Sequence, residues 1–110
     1  MYKLEVFVPE TEKESLKSAL FSAGAGQLGA YQSCCWEVAG MGQFKPIRGA
    51  EPHTGKVDLL EKVVEYRLEM LVDEALWPGV KEALYAAHPY EEPAFNILQV
   101  LDVKARTQAF

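Results

Sequence analysis

Leu4-Glu5-Val6-Phe7-Val8-Pro9-Glu10 and Leu68-Glu69-Met70-Leu71-Val72-Asp73-Glu74 repeat one pattern. A shift of 64 residues lays the first on the second, and also places Lys17 on Lys81, Ala19 on Ala83, Leu20 on Leu84, Ala23 on Ala87 and Ala30 on Ala94. No gap is needed between residues 4 and 32. Each copy opens with alternation, the period of a half-buried strand: Tyr2, Leu4, Val6 and Val8 against Lys3, Glu5 and Phe7, then Val64, Tyr66, Leu68, Met70 and Val72 against Glu65, Arg67, Glu69 and Leu71. Each continues at helical spacing, through Leu16, Ala19, Leu20 and Ala23 in one and Val80, Ala83, Leu84 and Ala87 in the other. Two β-α-β units in tandem predict an α+β fold of the ferredoxin-like, split βαβ type. Such a fold has one antiparallel sheet with both helices on one face.

Local signals set the remaining boundaries. Thr11 with Glu14 reads as a capping box at the first helix, and Gly24 stands where a helix ends in glycine. A second strand is predicted over Tyr31–Val38, a third over Val63–Val72 and a fourth over Ala94–Leu101. Pro78 suits the first turn of the second helix. Residues 40–56, rich in Gly and Pro, read as an extended excursion between the second and third strands, a hairpin with a mobile tip. Residues 1–103 then form one domain and 104–110 a loose tail.

The 110 residues suffice for one hydrophobic core, and 49% apolar with 25% charged residues is the balance of an ordered, water-soluble chain. A formal charge of -5 without a Lys/Arg cluster argues against nucleic acid. No signal-peptide pattern or membrane-length apolar run follows Met1, and the two cysteines are adjacent and form no disulfide framework. The chain reads as cytoplasmic, with no membrane partner.

The strongest cluster of chemistry is His88-Pro89-Tyr90-Glu91-Glu92-Pro93-Ala94-Phe95. Pro89 ends the second helix and Pro93 stiffens the start of the fourth strand, so polar side chains are held in a rigid joint. Imidazole beside carboxylates suits a divalent metal such as zinc or copper, with His88, Glu91 and Glu92 as ligands. The same residues could do acid–base work. In the structural alternative His88 caps helix carbonyls, Tyr90 packs at an interface and the glutamates stay in water. Gly24-Ala25-Gly26-Gln27-Leu28-Gly29 has the glycine spacing of a dinucleotide fingerprint, but a helix precedes it and a strand follows, so it reads as a turn. Cys34 and Cys35 read as small hydrophobes, and His53 as an exposed loop residue. No nucleophilic catalytic set can be placed.

The sheet face away from the helices carries Lys3, Glu5 and Phe7 beside Arg67, Glu69 and Leu71. The outer strand adds Tyr31, Ser33 and Cys35, or Cys34, Trp36 and Val38, depending on register. Water would explain the charges but not the aromatics. A subunit interface explains both if the charges pair.

Val6-Phe7-Val8-Pro9-Glu10, Gly24-Ala25-Gly26, Tyr31 with Cys34, Gly40-x-Gly42-Gln43-Phe44-x-Pro46, Glu65-x-Arg67-x-Glu69 and His88-Pro89-Tyr90-Glu91-Glu92-Pro93-Ala94 together resemble the YqfO family. That family is the stand-alone form of the CutA/PII-like domain found as an insert in Nif-three-like (NGG-interacting factor) proteins. The resemblance spans about Tyr2 to Asp102 and implies a CutA/PII-like fold with self-association through the sheet, a trimer favoured. It does not imply a reaction, because the paired metal ions of the Nif-three-like group lie in flanking regions. CutA proteins are linked to copper tolerance and carry a glutamate where this chain has Ala94. The expectation is a non-enzymatic homo-oligomeric module holding a metal or small regulatory ligand at the His88–Glu92 joint. Tyr90, Glu5, Arg67, Glu69, Cys34 and Trp36 would stand at its ligand or subunit boundary. A metal-dependent enzyme and a purely structural interaction domain are the alternatives.

Overall fold

The computed structural model describes residues 1–101. The predicted tail at 104–110 and the end of the predicted domain at 103 lie outside the described residues. Strand β1 (Tyr2–Pro9) leads into helix α1 (Glu10–Ser22), then strands β2 (Trp36–Phe44) and β3 (Glu61–Val72). A 3-10 turn at Glu74–Leu76 precedes helix α2 (Trp77–Ala87), and strand β4 (Phe95–Gln99) closes the sheet. The strands lie in the order β2-β3-β1-β4, every neighbouring pair antiparallel. This is the predicted α+β architecture, with the two repeated strands at its centre.

The repeated stripes make the core. Leu16 and Leu20 of α1 and Val80 and Leu84 of α2 close on Leu4, Val6 and Val8 of β1 and Leu68, Met70 and Val72 of β3. Each fully buried aliphatic side chain of this kind contributes about 1.5–3 kcal/mol. Both helices thus cover one sheet face, and Lys3, Glu5 and Phe7 emerge on the other.

Helix α1 starts differently from expectation. Pro9 is its N-cap and makes no side-chain capping bond; the Thr11 hydroxyl, already inside the helix, donates to Glu12. Glu10 and Glu12 supply first-turn negative charge that suits the helix dipole. Its end is as expected. Gly24, at φ +108, lets Ala25 N–H reach the Leu20 carbonyl at 3.0 Å while its own N–H reaches that of Phe21 at 3.0 Å. That paired arrangement satisfies two carbonyls left open by the last turn.

The glycine run that follows is a staple. Gly26 N–H donates to the Leu71 carbonyl at 2.8 Å, and Cys34 N–H returns to the Gly26 carbonyl at 2.8 Å. Gly26 sits at φ +78, where a Cβ would stand 2.9 Å from the Cys34 carbonyl oxygen. Gly26→Ala should therefore lose about 2 kcal/mol, from left-handed backbone strain plus the contact with unyielding backbone. In urea unfolding that appears as a midpoint about 1 M lower. An unchanged midpoint would show that residue 26 is not held left-handed against the Cys34 carbonyl.

The third strand starts two residues earlier than predicted and the fourth is shorter at both ends, while the second is corrected most. Residues 31–35 are not strand, because Ser33 adopts φ 60 and Leu28 and Tyr31 bridge each other instead. The second strand begins at Trp36 and runs on through Gly40 and Gly42, whose composition suggests loop. Continuous pairing with β3, from Trp36↔Glu69 to Phe44↔Glu61, outweighs the weak strand preference of glycine. Gly42 has a packing reason as well, since a Cβ there would overlap the Glu65 carboxylate. Residues 41–44 and 61–64 pair only with each other, so this end of the hairpin runs past the end of β1 as an arm. Residues 45–60 connect its strands.

Candidate functional site

Helix α2 stops at His88, whose backbone is extended (φ -77, ψ 134) as Pro89 after it requires. That turn carries the ring inward, and the side chain is buried. Nε2 stands 2.6 Å from the Phe7 carbonyl oxygen, and Nδ1 accepts from the Tyr90 N–H at 3.1 Å. The two contacts fix a neutral ring with its proton on Nε2. Burial holds His88 below its ordinary value, against smaller upward pulls from the Phe7 carbonyl, Glu65 and Glu12. His88 is a clasp between the end of α2 and the end of β1.

The 45–60 connection folds back on this joint. Glu51 N–H donates to Glu91 Oε1 at 3.0 Å, and the His53 ring lies 6.1 Å from that of Tyr90. His53 Nε2 also stands 3.7 Å from Glu12 Oε1, a link that is ionic when the ring is protonated. Pro46 is buried, and its carbonyl accepts from Asp58 N–H at 2.6 Å. Between connection and joint lies a cleft of about 380 Å³. Phe44, Tyr90, Glu65 and Ala94 line the sheet side; Pro46, Ile47, Ala50, Pro52 and His53 line the other; Lys45, Glu91 and Glu92 reach it as well. That volume falls at the small end of the roughly 300–1,000 Å³ usual for ligand clefts.

Tyr90 gives the cleft its polar peculiarity. Its Oη is shielded from solvent and completes no hydrogen bond, although the Glu65 carboxylate lies beside it. Burial first, and Glu65 second, push the hydroxyl far above the ordinary tyrosine value, so it remains protonated.

The predicted site residues thus separate. His88 faces inward with both nitrogens engaged, Glu91 fastens the connection, and Glu92 is exposed on the rim. Among the described residues no group of three His, Cys, Asp or Glu side chains is placed to hold a metal ion. The donor set therefore does not fit the zinc or copper expected of His88, Glu91 and Glu92. Tyr90 faces the cleft, with Phe44, Glu65 and His53, which sequence reasoning does not place there. The cue for them is indirect: Phe44 and Pro46 fall in one motif and Glu65 in another, but spacing does not show that they meet at Tyr90.

Glu5, Glu69, Arg67 and Trp36 do come together, on the open sheet face. Lys3 Nζ stands 3.0 Å from Glu69 and 3.7 Å from Glu5, and Arg67 Nε stands 3.1 Å from Glu69. Trp36 lies opposite Glu69, and Val38 opposite Arg67. Cys34 is outside the strand, half-buried in the loop that Gly26 ties down, while Cys35 packs against the core with its thiol pushed up by burial.

A four-stranded sheet with two helices on one face, bearing a long β2–β3 arm, is the CutA/PII-like class of fold. The PII-like protein CutA from Nostoc sp. PCC 7120 matches with TM-score 0.67 over 96% of this chain and 86% of its own, at 15% identity. At that identity the likeness shows the fold. By sequence the chain is similar to one segment of the Nif-three-like proteins. It is 43% identical over 99 residues to the GTP cyclohydrolase 1 type 2 homolog of Mycobacterium tuberculosis (strain ATCC 25618 / H37Rv), and 43% over 98 residues to that of Bacillus subtilis (strain 168). It covers 90% and 89% of itself in these matches but 26% of each relative, so it spans about a quarter of the curated relatives it matches. The Bacillus cereus protein related to NIF3 has TM-score 0.76 at 38% identity, over 87% of this chain and 24% of its own. No family model matches the chain. Among the described residues no helix is long and apolar enough to cross a membrane.

Proposed function

We propose that this chain is a non-enzymatic binding module that works as a homo-oligomer, its copies covering one another's open sheet faces. The observation that carries the reading is an apolar surface on a face whose charges are already neutralised. Trp36, Val38 and Leu98 are 65%, 41% and 43% exposed there, around a network of two cations and two carboxylates. Covering that network leaves no charge unpaired, so the attraction within each pair offsets part of the desolvation cost that a lone buried charge would carry in full. Strand β2 adds a nine-residue sheet edge, and the arm formed by its far end and the start of β3 exposes Met41 and Val64. A long apolar edge of this kind is normally covered. Closed symmetry of identical copies is the common solution, and the resemblance to CutA and PII proteins favours three.

Sedimentation equilibrium at micromolar concentration is the direct measurement, with three times the chain mass expected. A monomer at tens of micromolar would overturn the reading.

Catalysis by His88 with Glu91 or Glu92 is the weaker reading, since neither His88 nitrogen is free to exchange a proton with the cleft. The activity in the relatives' name is said of proteins of which this chain spans 26%, and no residue of the cleft calls for it.

A further inference from the structure

The cleft under the 45–60 connection lies within one chain, so its use does not depend on the assembly proposed above. Its walls are rings and prolines: Phe44 and His53 tilt toward Tyr90 at 6.4 and 6.1 Å between centroids, with Pro46 and Pro52 beside them. Its polar groups are mostly of one kind. Glu65, Glu91 and Glu92 bring three carboxylates against the single cation of Lys45. Glu91 has one oxygen engaged by the Glu51 amide, and Glu92 is at the rim. Glu65 is half-buried, and a Cβ at Gly42 would overlap its carboxylate, so that glycine leaves it room. Such walls suit a flat apolar body, and such polar groups attract positive charge and repel negative.

We propose that this cleft binds a small aromatic amine, the ring lying among Phe44, His53 and Tyr90 and the ammonium donating to Glu65. Tyr90 is the positioning residue. A small rotation of Glu65 gives the unpartnered Oη the acceptor it lacks and leaves the second carboxylate oxygen for the ligand. The Glu51 amide, fastened to Glu91, and the His53 ring against Tyr90 hold the cover in place. Anionic ligands of the same shape are disfavoured by the same three carboxylates.

Two probes with one ring system and opposite charge test this on the full chain: tryptamine and indole-3-acetate, titrated with amide and side-chain NMR shifts as the readout. Tryptamine should give saturable shifts concentrated at Phe44, His53, Glu65 and Tyr90, with a Kd at least about tenfold below that of indole-3-acetate. Glu65→Gln, with unchanged far-UV circular dichroism, should weaken that preference severalfold while leaving ring binding, because Glu91 and Glu92 still line the cleft. Equal or inverted preference for the two probes in the wild-type chain overturns the proposal. So do shifts scattered outside the cleft, or no saturation at roughly 10 mM tryptamine. Sedimentation run on the same sample keeps the outcomes separate, because a monomer that binds tryptamine sinks the assembly alone and an oligomer that ignores it sinks only the cleft assignment.

Discussion

His88→Ala should lower the unfolding free energy by about 2–4 kcal/mol, because it strands two polar groups at once. The Phe7 carbonyl loses its partner at 2.6 Å and the Tyr90 amide its acceptor at 3.1 Å. In a domain whose total stability is on the order of 5–15 kcal/mol, such a loss is readily measured by urea unfolding. The same geometry gives stability a pH dependence of known sign. Nδ1 faces an N–H donor, so a second ring proton has nowhere to go without breaking that bond. The folded chain holds His88 below 6.5 by burial, whereas the unfolded chain titrates near its ordinary value. Above that value both states are neutral and the full contribution is present. As pH falls through it the unfolded chain gains a proton that the folded chain refuses, and stability declines until the lower folded-state value is passed. The slope from this one group cannot exceed about 1.4 kcal/mol per pH unit. His88→Gln, which cannot titrate, should flatten the fall between pH 7 and the folded-state value relative to wild type. Identical pH profiles for the two proteins would show that the ring is not held neutral.

The sheet is legible in the repeat alone. Leu4 on Leu68 and Leu20 on Leu84 occupy matching positions because each half has to bury the same stripe against the other. The helix end at Gly24 is legible too, since its backbone chemistry is local. Local inference fails where distant pairing decides. Gly40 and Gly42 read as loop but extend β2, held by a β3 that follows only after the residue 45–60 connection. Residues 31–35 have strand-like composition, yet the Cys34 N–H donates to the Gly26 carbonyl and the Gly26 N–H to the Leu71 carbonyl, which holds them as a loop. The candidate site shows the same division. The His88–Glu92 segment stands out by its residue types, but those types cannot tell an inward clasp from an outward ligand. That depends on Phe7, 81 positions away, presenting a carbonyl to the ring. Likewise His53 reads as an isolated loop residue, because only the folding back of its connection sets it against Tyr90 and Glu12.

The open face carries the largest expected change in assembly. Trp36→Glu should turn the proposed oligomer into monomer at micromolar concentration. A tryptophan buries about 150–250 Å² when covered, and aromatic anchors of this kind commonly contribute about 2 kcal/mol or more to an interface. Its neighbour across the sheet is Glu69, already paired with Lys3 and Arg67, and Glu5 follows on β1. A third carboxylate there has no cation left to meet and would be desolvated by the incoming copy. Loss of the ring and repulsion act together, so dissociation should become easier by at least about a hundredfold. Folding of the single chain should change little, because Trp36 is 65% exposed and outside the core. Lys81→Glu, an exposed change to the same acidic residue on the helix side, is the control and should leave the mass unaltered. If Trp36→Glu sediments with the wild-type mass, the copies meet elsewhere. The neutral network of Lys3, Glu5, Arg67 and Glu69 would then be a solvated surface, and Trp36 and Val38 would need another explanation.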